Sequence, residues 1–271
     1  MKIFKNKLIL QKEISKDNPL SFIPTMGGLH KGHLSLIKKA KKYKRKICVS
    51  IFINPSQFNK KNDFKNYPRN LKSDIEKLKK LKINYLYLPT YSDIYSLKAK
   101  NKIYLDKFAK QLCGKTRKGH FLSVLNVVNR FLEIIRPKYI YLGLKDFQQL
   151  TLIDRHILIN KIKTKVIKCK TIREKNGVAC STRNLNLTNK QLLIASQIYK
   201  YLFNLKKKIK KNYNFFKTGP IKKELILLGA TKIDYIKNID LKVLQKNKKG
   251  KKNFKIFIAY YIKKIRLIDN I

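Results

Sequence analysis

Phe22-Ile-Pro-Thr-Met-Gly-Gly-Leu-His-Lys-Gly-His33, running on into Leu34-Ser-Leu-Ile-Lys-Lys-Ala40, decides how the rest of the chain is read. Residues 20–24 are apolar enough for a buried strand, and the Gly-Gly pair that follows breaks it with residues tolerant of left-handed backbone. Beyond the corner, Leu34, Ile37 and Ala40 recur at helical spacing, so a helix is expected over about residues 33–43. Lys46-Ile-Cys-Val-Ser-Ile-Phe-Ile53 is then a nearly continuous apolar run, as in a parallel strand covered on both faces. Strand, helix and strand make one βαβ unit whose loop lies at the carboxyl end of the first strand.

The same alternation continues outward. Residues 70–80 carry Leu71, Ile75 and Leu78 at helical spacing, and Asn84-Tyr-Leu-Tyr-Leu88 reads as a strand stopped by Pro89. A helix over 121–135, a strand at Tyr139-Ile-Tyr-Leu142, a helix over 147–160 and a short strand at Val166-Ile167 follow. Residues 1–171 are therefore expected to form a Rossmann-like, doubly wound α/β domain around a parallel sheet. Residues 172–271 change rhythm. Helices over 191–211 and 220–228, with short strands at Asp234-Tyr-Ile236 and Phe254-Lys-Ile-Phe-Ile-Ala259, predict a smaller α+β domain. Lys246-Asn-Lys-Lys-Gly-Lys-Lys252 reads as a solvated turn, and no internal repeat is evident.

Composition bounds the function classes. The chain has 271 residues, 44% of them hydrophobic, which is long and apolar enough for a sizeable core. Its 65 Lys+Arg against 15 Asp+Glu give a formal charge of +50, a balance that raises nucleic acid or an anionic membrane as partner. Arginine, the residue suited to bidentate phosphate and base contacts, is confined to Arg45, Arg69, Arg117, Arg130, Arg136, Arg155, Arg173, Arg183 and Arg266. The excess is lysine spread along the whole chain, which reads as compositional drift of the kind AT-rich genomes impose. Cys48, Cys113, Cys169 and Cys180 form no Cys-x-x-Cys pair, so neither a disulfide framework nor a zinc site is expected. With no signal-like or membrane-spanning run, a soluble cytoplasmic protein is the expectation.

Chemistry concentrates at the opening stretch. His30 and His33 sit at a strand-to-helix corner, where unpaired amides and the helix dipole favour an anion. A spacing of three puts both rings on one side of the first turn, and Gly32 between them lets a phosphate approach the backbone. Imidazoles there can donate to phosphoryl oxygens as charge builds in an in-line displacement. Spacing alone does not choose between the two. Gly114-Lys115-Thr116 imitates the end of a P-loop, but the glycine required five residues earlier is Ala109.

Pro24-Thr-Met-Gly-Gly-Leu-His-Lys-Gly-His33 resembles the His-x-Gly-His signature of adenylate-forming nucleotidyltransferases, and its flanks resemble the pantothenate synthetase family. Four more blocks are similar to that family in order and separation. They are Val49–Phe58 with Asp63-Phe64 and Tyr67-Pro68-Arg69, Leu112-Cys-Gly114 with Arg117-Lys-Gly-His-Phe121, Tyr141-Leu-Gly-Leu-Lys-Asp-Phe-Gln-Gln149, and Thr171-Ile-Arg-Glu174 through Ser181-Thr-Arg-Asn184. The tail Arg266-Leu-Ile-Asp-Asn270 is similar too.

The resemblance implies ATP-dependent condensation of (R)-pantoate with β-alanine to pantothenate, AMP and pyrophosphate through a pantoyl adenylate. It implies ATP contacts from Met26, Gly27, Gly28, Leu29, His30, Lys31, Gly32 and His33, with His30 and His33 catalytic and His33 the proton donor. Further ATP contacts are implied at Gly143, Leu144, Lys145, Asp146, Ile172, Cys180, Ser181, Thr182 and Arg183, the last four closing over the triphosphate. Gln57 and Gln149 are implied as pantoate and β-alanine ligands, since a neutral amide both donates and accepts. Arg117 is a phosphate contact on the same reading. ATP is substrate, Mg2+ is expected on its phosphates with no protein ligands assigned, and a homodimer without membrane or specific nucleic-acid partner is implied. Leu144, Lys118 and Thr182 depart from the family pattern, and Lys118 is expected to loosen the loop that presents His120. A related nucleotidyltransferase with another small substrate is the nearer rival, and a basic nucleic-acid-binding protein the more distant one.

Overall fold

A computed structural model describes residues 1–17, 19–59, 61–96, 98–241 and 253–271, so the turn expected at 246–252 lies outside the described residues. The chain divides into two compact units, Met1–Ile172 and Arg173–Ile271.

The first unit runs β1 (Lys2–Phe4), α1 (Lys7–Ile14), β2 (Leu20–Thr25), α2 (Lys31–Lys41), β3 (Lys46–Ile51), α3 (Lys61–Lys65) and α4 (Leu71–Lys80). It continues with β4 (Tyr85–Tyr87), α5 (Tyr91–Tyr95), α6 (Cys113–Thr116), α7 (His120–Ile135), β5 (Tyr139–Gly143), α8 (Phe147–Ile159) and β6 (Lys165–Cys169). The strands form one sheet in the order β1-β4-β3-β2-β5-β6, all parallel. From β2 the order runs one way through β3 and β4, and the other way through β5 and β6. The reversal falls between β2 and β5, which is where open α/β sheets leave a crevice at the carboxyl ends of their strands.

Burial explains the strands. Phe22 and Ile23 of β2, Cys48 and Val49 of β3, Leu86 and Tyr87 of β4, and Ile140 and Tyr141 of β5 are fully inaccessible, consistent with helices on both faces. Each large apolar side chain so buried contributes about 1.5–3 kcal/mol. The expected elements are present, with three differences of substance. Helix α2 begins at Lys31, because His30 takes the N-cap position with extended backbone. An N-terminal strand and helix precede the Gly corner. β1 pairs with β4 at the sheet edge, and Asn6 caps α1 by accepting from Leu8 N and Ile9 N. In α4 the inward face is Asp74 and Leu78, while Leu71, expected on that face, is 47% exposed.

The second unit holds α9 (Asn189–Lys211), α10 (Thr218–Leu227), and an antiparallel sheet β7 (Lys232–Asp240), β8 (Phe254–Ile262) and β9 (Ile265–Asn270). A capping box starts α9: Thr188 Oγ1 accepts from Gln191 N, and Gln191 Oε1 accepts from Thr188 N. The helix buries Ala195, Ile198 and Leu202 in the cluster that also contains Ile256 and Ile258 of β8. Strand β9 is not anticipated by the sequence pattern. It carries Asp269, which receives Arg173 Nη1 at 2.6 Å and Nη2 at 2.9 Å. Arg173 also lies 4.4 Å from the Tyr199 ring centroid.

Candidate nucleotide-binding active site

The Gly corner leaves the carboxyl end of β2, beside the reversal of the sheet. Thr25 Oγ1 donates to Ser50 O at 2.7 Å and accepts from Gly27 N at 3.3 Å, tying the end of β2 to β3. Gly27 and Gly28 then adopt φ of 77° and 59°, which a side chain would strain. A Cβ on Gly27 would also stand 3.2 Å from Asp74 Oδ2 and from Ile51.

Asp74, 1% exposed, reaches this corner from α4 and accepts Gly28 N at 2.7 Å and Leu29 N at 2.8 Å. Lys77, one turn later, donates to Leu29 O at 2.9 Å. Part of the amide set at this corner is already engaged: Gly28 and Leu29 serve Asp74, and Gly32 N donates to His30 Nδ1 at 3.1 Å.

The histidine pair is assembled as the spacing predicts, with ring centroids 4.1 Å apart and planes inclined by 32°. Because His30 Nδ1 accepts from Gly32 N, the neutral ring carries its proton on Nε2. His33 Nδ1 is buried with no hydrogen-bond partner among the described residues. Burial holds the His33 pKa well below the ordinary histidine value, and His30, Lys145 and Lys77 lower it further. His33 is accordingly a neutral imidazole with two lysine ammonium groups within electrostatic reach.

Other expected residues converge on the same edge of the sheet. Gly143 ends β5, and Leu144–Asp146 form a 3-10 turn leading into α8. Lys145 lies 3.5 Å from Asp146. Gln149 sits in the first turn of α8, next to Gln148, which is consumed structurally. Gln148 Oε1 accepts from Cys113 N, and its Nε2 donates to Phe108 O and Gln111 O. Ile172 follows β6. Met26, Lys31 and Gly32 lie in the corner and the first turn of α2.

Gln57 ends a 3-10 turn, Pro55–Gln57, just past β3. Its backbone carbonyl is held twice, by Arg117 Nη2 at 2.8 Å and by His120 Nδ1 at 3.1 Å. Arg117 Nη1 lies 3.0 Å from His120 Nε2. A guanidinium only donates, so Nε2 accepts and Nδ1 carries the proton given to the Gln57 carbonyl. Arg117, expected from the resemblance to meet phosphate, has one bond from each terminal nitrogen in this clamp. The loop before His120 is also tied, because Asn59 Nδ2 donates to Lys118 O at 2.7 Å.

Cys180, Ser181, Thr182 and Arg183 belong to the second unit. The Cys180 thiol is buried and donates to Glu174 Oε1 at 3.2 Å, and Ser181 Oγ accepts from Arg183 N as the cap of a 3-10 turn, Thr182–Asn186.

A doubly wound parallel sheet with a His-x-Gly-His corner at its switch point is the arrangement of a nucleotide-binding enzyme of the nucleotidyltransferase type. The match can be drawn more narrowly. The family model of pantoate-beta-alanine ligase matches residues 2–271. Pantothenate synthetase of Francisella philomiragia subsp. philomiragia is 40% identical over 266 residues, 97% of this chain and 92% of its own length. That of Flavobacterium psychrophilum is 39% identical over 269 residues, covering 98% and 95%. Among solved structures, pantoate-beta-alanine ligase from Francisella tularensis, complexed with beta-gamma ATP and beta-alanine, superposes with a TM-score of 0.84 at 38% identity, covering 100% of this chain and 97% of that one. Pantothenate synthetase from Thermus thermophilus gives 0.87 at 26% identity, covering 100% and 99%. The chain belongs to the pantoate-beta-alanine ligase family.

Proposed function

We propose that the chain is a pantothenate synthetase, joining (R)-pantoate to β-alanine with conversion of ATP to AMP and pyrophosphate. The observation that carries this reading is the convergence of the residue 26–33, 57, 143–146 and 149 blocks on the carboxyl ends of β2, β3 and β5, at the switch point of the sheet. Family membership supplies the identity of the substrates.

In the proposed first step a pantoate carboxylate oxygen attacks the α-phosphorus of ATP. An O–P bond forms, the bond to the bridging oxygen breaks, and pyrophosphate leaves. His30 donates from Nε2, its protonated nitrogen, and the neutral His33 beside it donates as well. Lys145 brings positive charge to the same place, and Asp146 is suited to ribose hydroxyls. In the second step the unprotonated β-alanine amine attacks the acyl carbon of pantoyl adenylate; a C–N bond forms, the acyl C–O bond to the phosphate breaks, AMP departs and the nitrogen loses a proton to solvent. Gln57 and Gln149 hold pantoate through neutral amides that need no fixed counter-charge.

The proposal carries further expectations from family resemblance. Met26, Gly27, Gly28, Leu29, Lys31, Gly32, Leu144 and Ile172 contact ATP, residues 180–183 act on its triphosphate from a lid formed by residues 172–271, and the enzyme is a cytoplasmic homodimer. Mg2+ is proposed as the counter-ion of the ATP phosphates. Among the described residues no group of three His, Cys, Asp or Glu could hold a metal, and Asp74 accepts from two amides. Among the described residues no helix is long and apolar enough to cross a membrane.

Pyrophosphate release from ATP, with pantoate alone and with pantoate plus β-alanine, tests the reading. A stoichiometric burst with pantoate and sustained turnover only when β-alanine is added is expected. Release elicited by a different acid, and none by pantoate, would sink it.

A further inference from the structure

Asp74 and Lys77 occupy successive turns of α4 and between them engage three backbone groups of the Gly28-Leu29 pair: two N–H groups and one carbonyl. Lys77 Nζ stands 4.0 Å from Asp74 Oδ1. The carboxylate poses an electrostatic difficulty. It is 1% exposed, so water and salt screen it weakly, and it faces the back of a corner proposed to hold a polyphosphate. Yet the two amides require it. An ionised carboxylate accepts through both oxygens, whereas an asparagine would turn its own donor toward one N–H. The geometry therefore needs the charge, and the charge needs neutralising. Lys77 is placed to do this, and its ammonium is also among the charges felt by His33.

Resting on the proposed ATP-dependent reaction, we infer that Asp74 and Lys77 are a pair of positioning residues with separable tasks. Asp74 fixes the positive-φ corner, and through it the His30–His33 pair; Lys77 cancels the Asp74 charge as the nucleotide phosphates meet it. Asp74 thus acts on turnover and Lys77 on ATP affinity, although neither is assigned a contact with ATP.

The test compares Asp74→Asn, Lys77→Met, Lys77→Arg and the double variant Asp74→Asn/Lys77→Met in pantoate-dependent pyrophosphate release as ATP is varied, with 15N spectra of the imidazoles. Asp74→Asn is expected to lower kcat by on the order of tenfold or more with little change in the KM for ATP, and to remove the signature of an unprotonated, hydrogen-bonded His30 Nδ1. Lys77→Met is expected to raise the KM for ATP by roughly tenfold with kcat nearly kept, and Lys77→Arg to restore it. The double variant should have a KM closer to wild type than Lys77→Met alone, since the charge to be cancelled is gone. Parallel changes of kcat and KM in both single variants, or a double variant whose KM matches or exceeds that of Lys77→Met, would overturn the inference. If Asp74→Asn does not fold, the Lys77→Met and Lys77→Arg pair still decides, an unchanged KM in Lys77→Met being fatal. If the wild type itself releases no pyrophosphate with pantoate, the proposed function fails, and the His30 signature in Asp74→Asn still judges the positioning role.

Discussion

The His30 and His33 rings lie tilted with their centroids 4.1 Å apart, yet among the described residues only His30 is tied to the backbone, through Gly32 N. The pair therefore divides into a cap that is also a donor and a half-buried neighbour whose Nδ1 is buried. His30→Asn keeps a good N-cap acceptor and His30→Ala does not, so the alanine variant should lose about 1 kcal/mol more stability than the asparagine variant. Both should lose turnover alike. Thermal unfolding alongside pyrophosphate release checks this, and retained activity in His30→Asn would restrict His30 to a structural cap.

His33→Ala should lower kcat by on the order of 100-fold or more while changing ATP affinity far less, as expected of a donor that matters most when charge develops on phosphorus. Isothermal binding of ATP beside steady-state rates measures the split. Equal losses in both would make His33 a simple ligand.

The clamp on the Gln57 carbonyl predicts substrate selectivity of the damage. Arg117→Met or His120→Phe frees that carbonyl from one of two donors, and the KM for pantoate should rise several-fold while the KM for ATP stays nearly constant. A rise in the KM for ATP instead would restore Arg117 to the phosphate role expected from sequence.

Acid should destabilise the first unit in a definite window. His33 and His156 have pKa values lowered chiefly by burial, with Glu133 partly offsetting the effect at His156. Below the unfolded histidine pKa, near 6.5, the unfolded chain binds protons that the folded chain refuses, so stability falls as pH falls, by at most about 1.4 kcal/mol per pH unit for each group. Unfolding midpoints in denaturant at pH 7.5 and 5.5 should differ in that direction, and substituting His156 by Gln should flatten the slope.

Two glycines of the second unit should respond oppositely to alanine. Gly177 has φ of 89°, and a Cβ there would fall 2.1 Å from a Tyr199 ring carbon, so Gly177→Ala should cost more than about 2 kcal/mol. Gly219 lies in α10 with open space around it, and Gly219→Ala should gain about 0.5–1 kcal/mol. Thermal unfolding of the two variants checks the contrast.

Much of the architecture was legible because apolar periodicity and Gly or Pro punctuation act locally. The runs 20–24 and 46–53 read directly as covered parallel strands, and the rings of His30 and His33 met as their spacing implied. What escaped the reading depends on partners far away in sequence. Strand β1 is three residues long and exists through its pairing with β4. In α4 the leucine at 71 drew the apolar stripe one step away from Asp74, whose burial makes sense only once the Gly28 and Leu29 amides are known to face it. Arg117 read as a phosphate contact because a guanidinium suits phosphate, and its bond to the Gln57 carbonyl, 60 residues away, was not visible in that reading. Strand β9 alternates too weakly to announce itself, and is fixed by its register against β8.

The Arg173–Asp269 pair joins positions 96 residues apart, at the start of the second unit and in its last strand. During synthesis the first unit can assemble while the chain is still growing, since every strand of its sheet has emerged by residue 169. The second must wait for nearly its whole length, because the buckle that fastens it comes off the ribosome late. A chain cut short before Asp269 would present a complete nucleotide-binding half attached to an unfastened one, which marks the truncated product for proteolysis from that half.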